Sequence, residues 1–103
     1  MSGCYTGPMP VIGVMTMEIS IPHAQSLKDK RSVVKGLKDR LRERHNVSIA
    51  EIDGEHTWQR ATLAAVTVST SRDFANKVLA AVERDAASVL GGMLTDTCLE
   101  WLD

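Results

Sequence analysis

The sequence predicts an α+β domain in which a four-stranded antiparallel sheet carries two helices on one of its faces. Three observations predict it. Four β-like stretches, at residues 11–21, 46–53, 60–69 and 93–102, are separated in the right places by two stretches of helical spacing. Each helical stretch opens on a hydroxyl side chain able to cap it. The resulting order, β-α-β-β-α-β with right-handed crossovers, puts both helices on the same side of the sheet. At 103 residues the chain is long enough for one such domain and one small core.

Residues 1–9 (MSGCYTGPM) have no periodic pattern and, with Gly3, Gly7 and Pro8, read as a flexible leader ahead of a single domain at 10–103. Met9, directly before the first strand, is an expected alternative start. From Val11 to Ile21 the odd positions are Val, Gly, Met, Met, Ile and Ile, while Thr16, Glu18 and Ser20 fall between them. That is a strand with one buried face, ended by Pro22, which cannot donate to a ladder. Ser26 then caps a helix running to about Arg44, with Asp29 supplying an acid to its first turn. The stretch 46–53 (NVSIAEID) reads as a second strand, Asp53-Gly54 as the start of a turn, and 60–69 (RATLAAVTVS) as its hairpin partner. Thr70 or Ser71 caps the second helix, with Asp73 as a capping acid and Phe74, Val78, Ala81, Val82 and Val89 at helical spacing. Gly91-Gly92 stops it, and 93–102 is the last strand.

Composition excludes several classes. Apolar residues make up 44% and charged residues 24%, as in an ordinary folded domain. No apolar run is long enough to cross a membrane, and the N-terminus lacks a secretion signal, so a cytoplasmic location is expected. Cys4 and Cys98 are expected as two thiols in a reducing compartment. His23, His45 and His56 are scattered singly, without metal-ligand spacing, so neither metal nor cofactor is expected.

Charge is the most informative pattern. Residues 28–44 hold eight bases and three acids, and the rest of the chain holds four bases and ten acids. At about 100° per residue, Val33, Val34, Leu37 and Leu41 share one face of the helix. Lys28, Arg31, Lys35, Lys38 and Arg42 form a stripe on another, with Asp29, Asp39 and Glu43 alongside. Such a stripe suits a phosphate backbone. It also suits a solvated face on which Lys35, Asp39 and Arg42 pair with one another. Lys30 and Arg44 border the apolar face and are expected to snorkel along it.

Trp58 and Arg60 lie at the rim of the hairpin, where an exposed Trp beside an Arg could stack on a base or anchor a partner, or the Trp could fold back over the core. Glu51, Asp53, Glu55 and His56 crowd the same hairpin and are the only starting point for an acid–base site. The open sheet face, showing Ile12, Val14, Thr16, Glu18 and Ser20 on the first strand, is partly apolar and could receive a second subunit or a small ligand. An RNA-recognition sheet of this topology stacks bases on aromatics, which the first and third strands lack. The loop at 22–27 (PHAQSL) has neither the glycines nor the arginine of an acylphosphatase.

Three motifs, I-P-x-A-Q-S-L-K-x-K-R at 21–31, N-V-S-I-A-E at 46–51 and W-Q-R-A-T-L at 58–63, resemble the YlxP-like family of small bacterial proteins of uncharacterised function. The resemblance runs from about Val11 onward. It implies a ferredoxin-like fold and a genomic setting beside translation and ribosome-maturation factors, and it implies no reaction, ligand or catalytic residue. The combined expectation is a non-enzymatic protein that contacts RNA or the ribosome. Lys28, Arg31, Lys35, Lys38 and Arg42 would meet phosphates, and Trp58 and Arg60 would stack or anchor.

Overall fold

The computed structural model describes residues 3–53 and 57–102. Its elements are β1 (Val11–Ser20), α1 (Leu27–Arg44), β2 (Ser48–Asp53), β3 (Arg60–Ser69), α2 (Arg72–Leu90), a 3-10 turn at Gly91–Met93, and β4 (Leu94–Leu102). The strands form one antiparallel sheet in the order β2-β3-β1-β4. This is the expected ferredoxin-like arrangement. Residues 3–10 form no helix or strand and are exposed.

Alternation decides which side of the sheet is covered. Met15, Met17 and Ile19 of β1 pair with Ala65, Leu63 and Ala61 of β3, and all six are buried under the helices. Val34, Leu37 and Leu41 of α1 and Leu79, Val82 and Ala86 of α2 complete this core. The intervening positions, Ile12, Val14, Thr16, Ala64 and Val66 among them, face the uncovered side and are half-buried. No aromatic side chain stands among them.

The helix starts are fixed by the expected chemistry. Ser26 Oγ accepts from the Asp29 amide at 3.1 Å, and Asp29 Oδ2 accepts in return from the Gln25 amide at 2.9 Å. At α2 the cap is Ser71, which accepts from the Phe74 amide at 3.3 Å. Gly91 ends that helix at φ 57°, a conformation that favours glycine.

The buried stripe of α2 differs from the one read in the sequence. Ala75, Leu79, Val82, Ala86 and Leu90 face the core, whereas Phe74 and Val89 are exposed. The row 74-78-81 continues to Asp85, whose carboxylate turns to Arg40 of α1 and to His45. The neighbouring row 75-79-82-86-90 is apolar without a break, and it wins.

Gly13 sits where α2 and β4 crowd the sheet. A Cβ there would come within 2.8 Å of Leu79 Cδ1 and 2.9 Å of Trp101 Cζ3. Gly13→Val is expected to destabilise the protein by about 1–3 kcal/mol, read as a lower urea midpoint at an unchanged slope.

Candidate nucleic-acid interface

Helix α1 holds four side chains on its sheet-facing side, and one of them is charged. Lys30 is 2% exposed, as deeply placed as Val34, Leu37 and Leu41. Its Nζ lies 2.9 Å from Glu51 Oε2 on β2 and donates to the Thr57 carbonyl at 3.0 Å. The expectation that Lys30 snorkels along the border of the apolar face is therefore corrected. Its position on the helix aims it at the sheet, where Glu51 supplies the opposite charge and a backbone carbonyl supplies an acceptor.

This contact belongs to a larger joint. The Ile21 amide donates to the Gln59 carbonyl at 2.8 Å, and Gln59 Nε2 lies 3.4 Å from the Pro22 and Ala24 carbonyls. The three separated motifs thus meet at one end of the molecule. The first supplies Ile21, Pro22, Ala24 and Lys30, the second Glu51, and the third Gln59. Trp58, between the held residues Thr57 and Gln59, nevertheless remains 45% exposed.

The five residues of the basic stripe fall into two groups. Lys35 Nζ pairs with Asp39 at 2.6 Å, and that hydrogen bond, with the charges of Lys35, Arg42 and Lys38, holds the Asp39 carboxyl below its ordinary value. Arg42 donates to the Ile49 carbonyl of edge strand β2 at 2.8 Å and stands 4.0 Å from Asp39. These two have structural occupations. Lys28 and Arg31 are exposed and Lys38 half-buried, and none of the three makes an ion pair among the described residues. Lys28 and Arg31 lie in the first turn and a half of α1, beside the residue that holds Thr57.

Arg60 is exposed and stands apart from the stripe. It pairs with Ser20 at the end of β1, in the row of positions on the uncovered side of the sheet. Of the hairpin acids, Glu51 is committed to Lys30, and Glu55 and His56 lie outside the described residues.

A second polar cluster, which sequence reading missed, joins α1 to α2. Arg40 Nε lies 2.8 Å, and Arg44 Nη1 3.9 Å, from Asp85 Oδ1, and His45 Nε2 lies 3.0 Å from Asp85 Oδ2. Burial pushes the Asp85 carboxyl up, but the hydrogen bonds with Arg40 and His45 and the charges of Arg40 and Arg44 outweigh it and hold the carboxyl below its ordinary value. Arg44 does not snorkel along the apolar face as expected but turns toward this carboxylate.

Among the described side chains, the hairpin's candidate acid–base site is represented by Glu51 alone, and it is paired with Lys30. A cavity of about 520 Å³ between residues 5–10 and the start of α2 is lined by Tyr5, Pro8, Met9, Pro10 and Thr70, with no carboxylate, imidazole or cation. Among the described residues, no group of three or more His, Cys, Asp or Glu side chains could hold a metal ion, no disulfide joins Cys4 to Cys98, and no helix is long and apolar enough to cross a membrane.

Comparison with known proteins adds the following. A family described as "Protein of unknown function (DUF503)" matches residues 12–97. The uncharacterized protein YlxP of Bacillus subtilis (strain 168) is 44% identical over 62 residues, which cover 60% of this chain and 67% of that protein. Among solved structures, the de novo designed protein Foldit4 superposes with a TM-score of 0.58 at 7% identity, covering 92% of this chain and 98% of its own. The de novo designed protein LFR1 1, with a ferredoxin fold, superposes at 0.51 and 11% identity, covering 91% and 84%. Likeness to two designed chains at such identities speaks to the fold alone.

Proposed function

The chain belongs to the DUF503 family of proteins of unknown function, and since that membership names no activity we propose, from the geometry of α1, that it is a non-enzymatic protein that binds structured RNA. The observation that carries this reading is the uncompensated charge at the start of α1. Lys28 and Arg31 are exposed and unpaired among the described residues, at the helix end whose own dipole is positive. Lys28, in the first turn, costs the helix roughly 0.3–1 kcal/mol and Arg31, beyond that turn, less, so folding does not account for them. An anionic partner does.

Two features say how that partner would be held. Ser26 Oγ already accepts from the Asp29 amide, and the Asp29 carboxylate, held by the Gln25 amide, puts a negative charge at the helix start, which disfavours an anion cradled on the backbone there. Side chains would make the contacts: Lys28 and Arg31 first, then Lys38, with Lys35 and Arg42 contributing what Asp39 leaves to them. Contacts of this kind fix position rather than sequence. Trp58 stands at the same end and would add a flat apolar surface. Arg60, on the uncovered side of the sheet, is left out of this interface.

The test is fluorescence anisotropy with a structured ribosomal RNA fragment at two salt concentrations. Binding that weakens steeply with salt supports the reading. No binding at low salt, or binding indifferent to reversal of Lys28 and Arg31 to Glu, removes it.

A second reading rests on the uncovered sheet face, where Val68 and Leu102 remain 55% and 54% exposed beside Ile12, Val14 and Val66. A second copy of the chain would cover this row. Light scattering is the check: a stable dimer that Val66→Lys dissociates supports it, and a monomer at high concentration removes it.

A further inference from the structure

We propose that Lys30, through Glu51 and Thr57, is a positioning residue that presents the Trp58 indole as a fixed stacking platform, and that the RNA bound beside it carries an unpaired base. The second half rests on the RNA reading above. The first rests on the joint alone.

The structure holds Trp58 from both sides. On one side the Thr57 carbonyl accepts from Lys30 Nζ at 3.0 Å, and Lys30 in turn meets Glu51 Oε2 at 2.9 Å. On the other the Gln59 carbonyl accepts from the Ile21 amide at 2.8 Å, while the Gln59 side chain reaches the Pro22 and Ala24 carbonyls. A buried ammonium is an expensive means of holding a loop whose only purpose is to close a hairpin. Yet the residue between the two clamps, one of only two tryptophans in the chain, is left 45% exposed.

An exposed indole between two hydrogen-bonded neighbours has less conformational freedom to give up on binding, which suits stacking on a base. In a continuous duplex every base is already stacked, and the indole would have no face to meet. The cations of the first turn and a half of α1 would then hold the phosphates of the flanking stem. The ligand class is a hairpin or bulged RNA.

The experiment uses the full chain labelled with 5-fluorotryptophan, so that ¹⁹F NMR gives separate resonances for Trp58 and Trp101. In the free protein, Lys30→Met is expected to move the Trp58 resonance toward that of an unrestrained indole and leave Trp101 in place, and Lys30→Arg is expected to restore it. Gln59→Ala, a surface change with little risk to folding, is expected to do the same more weakly. Binding is then compared between an RNA stem with one bulged nucleotide and the same stem fully paired. Wild type is expected to prefer the bulged stem on the order of 10-fold or more. Lys30→Met and Trp58→Ala are each expected to abolish that preference, the pair together doing no more than either alone, with the salt dependence unchanged.

An unmoved Trp58 resonance in Lys30→Met and Gln59→Ala overturns the positioning role. Equal affinity for the two stems overturns the unpaired-base ligand. A wild-type protein that binds neither stem overturns the RNA reading itself and the ligand with it. A Trp58 resonance displaced in free Lys30→Met supports the positioning role independently of that loss.

Discussion

Reversing Lys28 and Arg31 to Glu is expected to lower the affinity for a structured RNA on the order of 100-fold near 0.1 M salt, and to flatten the slope of log K against log salt by about two units. Both figures follow from the loss of two phosphate contacts. Reversing Lys35 and Arg42 instead has a smaller effect, because Asp39 and the Ile49 carbonyl already engage those cations. The decisive control is Lys77→Glu with Arg84→Glu, two exposed bases on α2 that change the net charge equally without touching α1. If that control loses as much affinity, the protein responds to overall charge and the helix is not an interface. Anisotropy titrations at three salt concentrations distinguish the two.

Asp85→Asn destabilises the protein by about 1–3 kcal/mol at pH 7, since it removes the charged hydrogen-bond partner of Arg40 and leaves Arg44 and His45 without their carboxylate. The loss depends on pH in a defined direction. The Asp85 carboxyl is held below its ordinary value when folded, so the folded state binds its proton less readily than the unfolded chain does. Its contribution is therefore fully present above the unfolded carboxyl range, near pH 4, and fades as the pH falls through the lower folded value. Wild type and Asp85→Asn should differ clearly at pH 7 and converge below about pH 4. Urea denaturation across that range is the measurement. A difference that persists undiminished at pH 3 shows that Asp85 acts by shape and not by charge.

The fold was legible because local rules agree with one another along this chain. The alternation from Val11 to Ile21 names the buried side of β1 residue by residue, and Ser26 and Gly91 mark helix ends by chemistry that needs no partner from afar. What was missed depends on partners distant in sequence. Asp85 draws no notice in the sequence, because its partners Arg40 and His45 lie 45 and 40 residues earlier. The buried row of α2 was misplaced because Phe74 and Val89 are as apolar as Leu79 and Leu90. Only the interruption at Asp85 separates the two rows.

Lys30 did leave a signal. On a wheel of about 100° per residue it lies opposite Lys28, inside the arc of Val33, Val34, Leu37 and Leu41. Glu51, on the helix-facing side of β2, was the charge that could meet it. The stripe was legible as a pattern of charge but not as a division of labour, since neither Asp39's two partners nor the Ile49 carbonyl can be counted from periodicity. The exposure of Trp58 also came only from the structure, because its surroundings are made by residues of two other motifs.

The strand order has a consequence for how this chain is made. β1 is the first strand to be synthesised and lies inside the sheet, yet its partners β3 and β4 begin 49 and 83 residues after it begins. On a growing polypeptide, Met15, Met17 and Ile19 must wait for both while α1 is already complete, and β2 has nothing to pair with until β3 emerges. Non-local pairing of this kind slows folding and lengthens the exposure of unpaired edges. Nascent chains halted before β4 should therefore display an unsatisfied β1 edge, recognisable by chaperones, and a circular permutant that begins at β4 should shorten that interval.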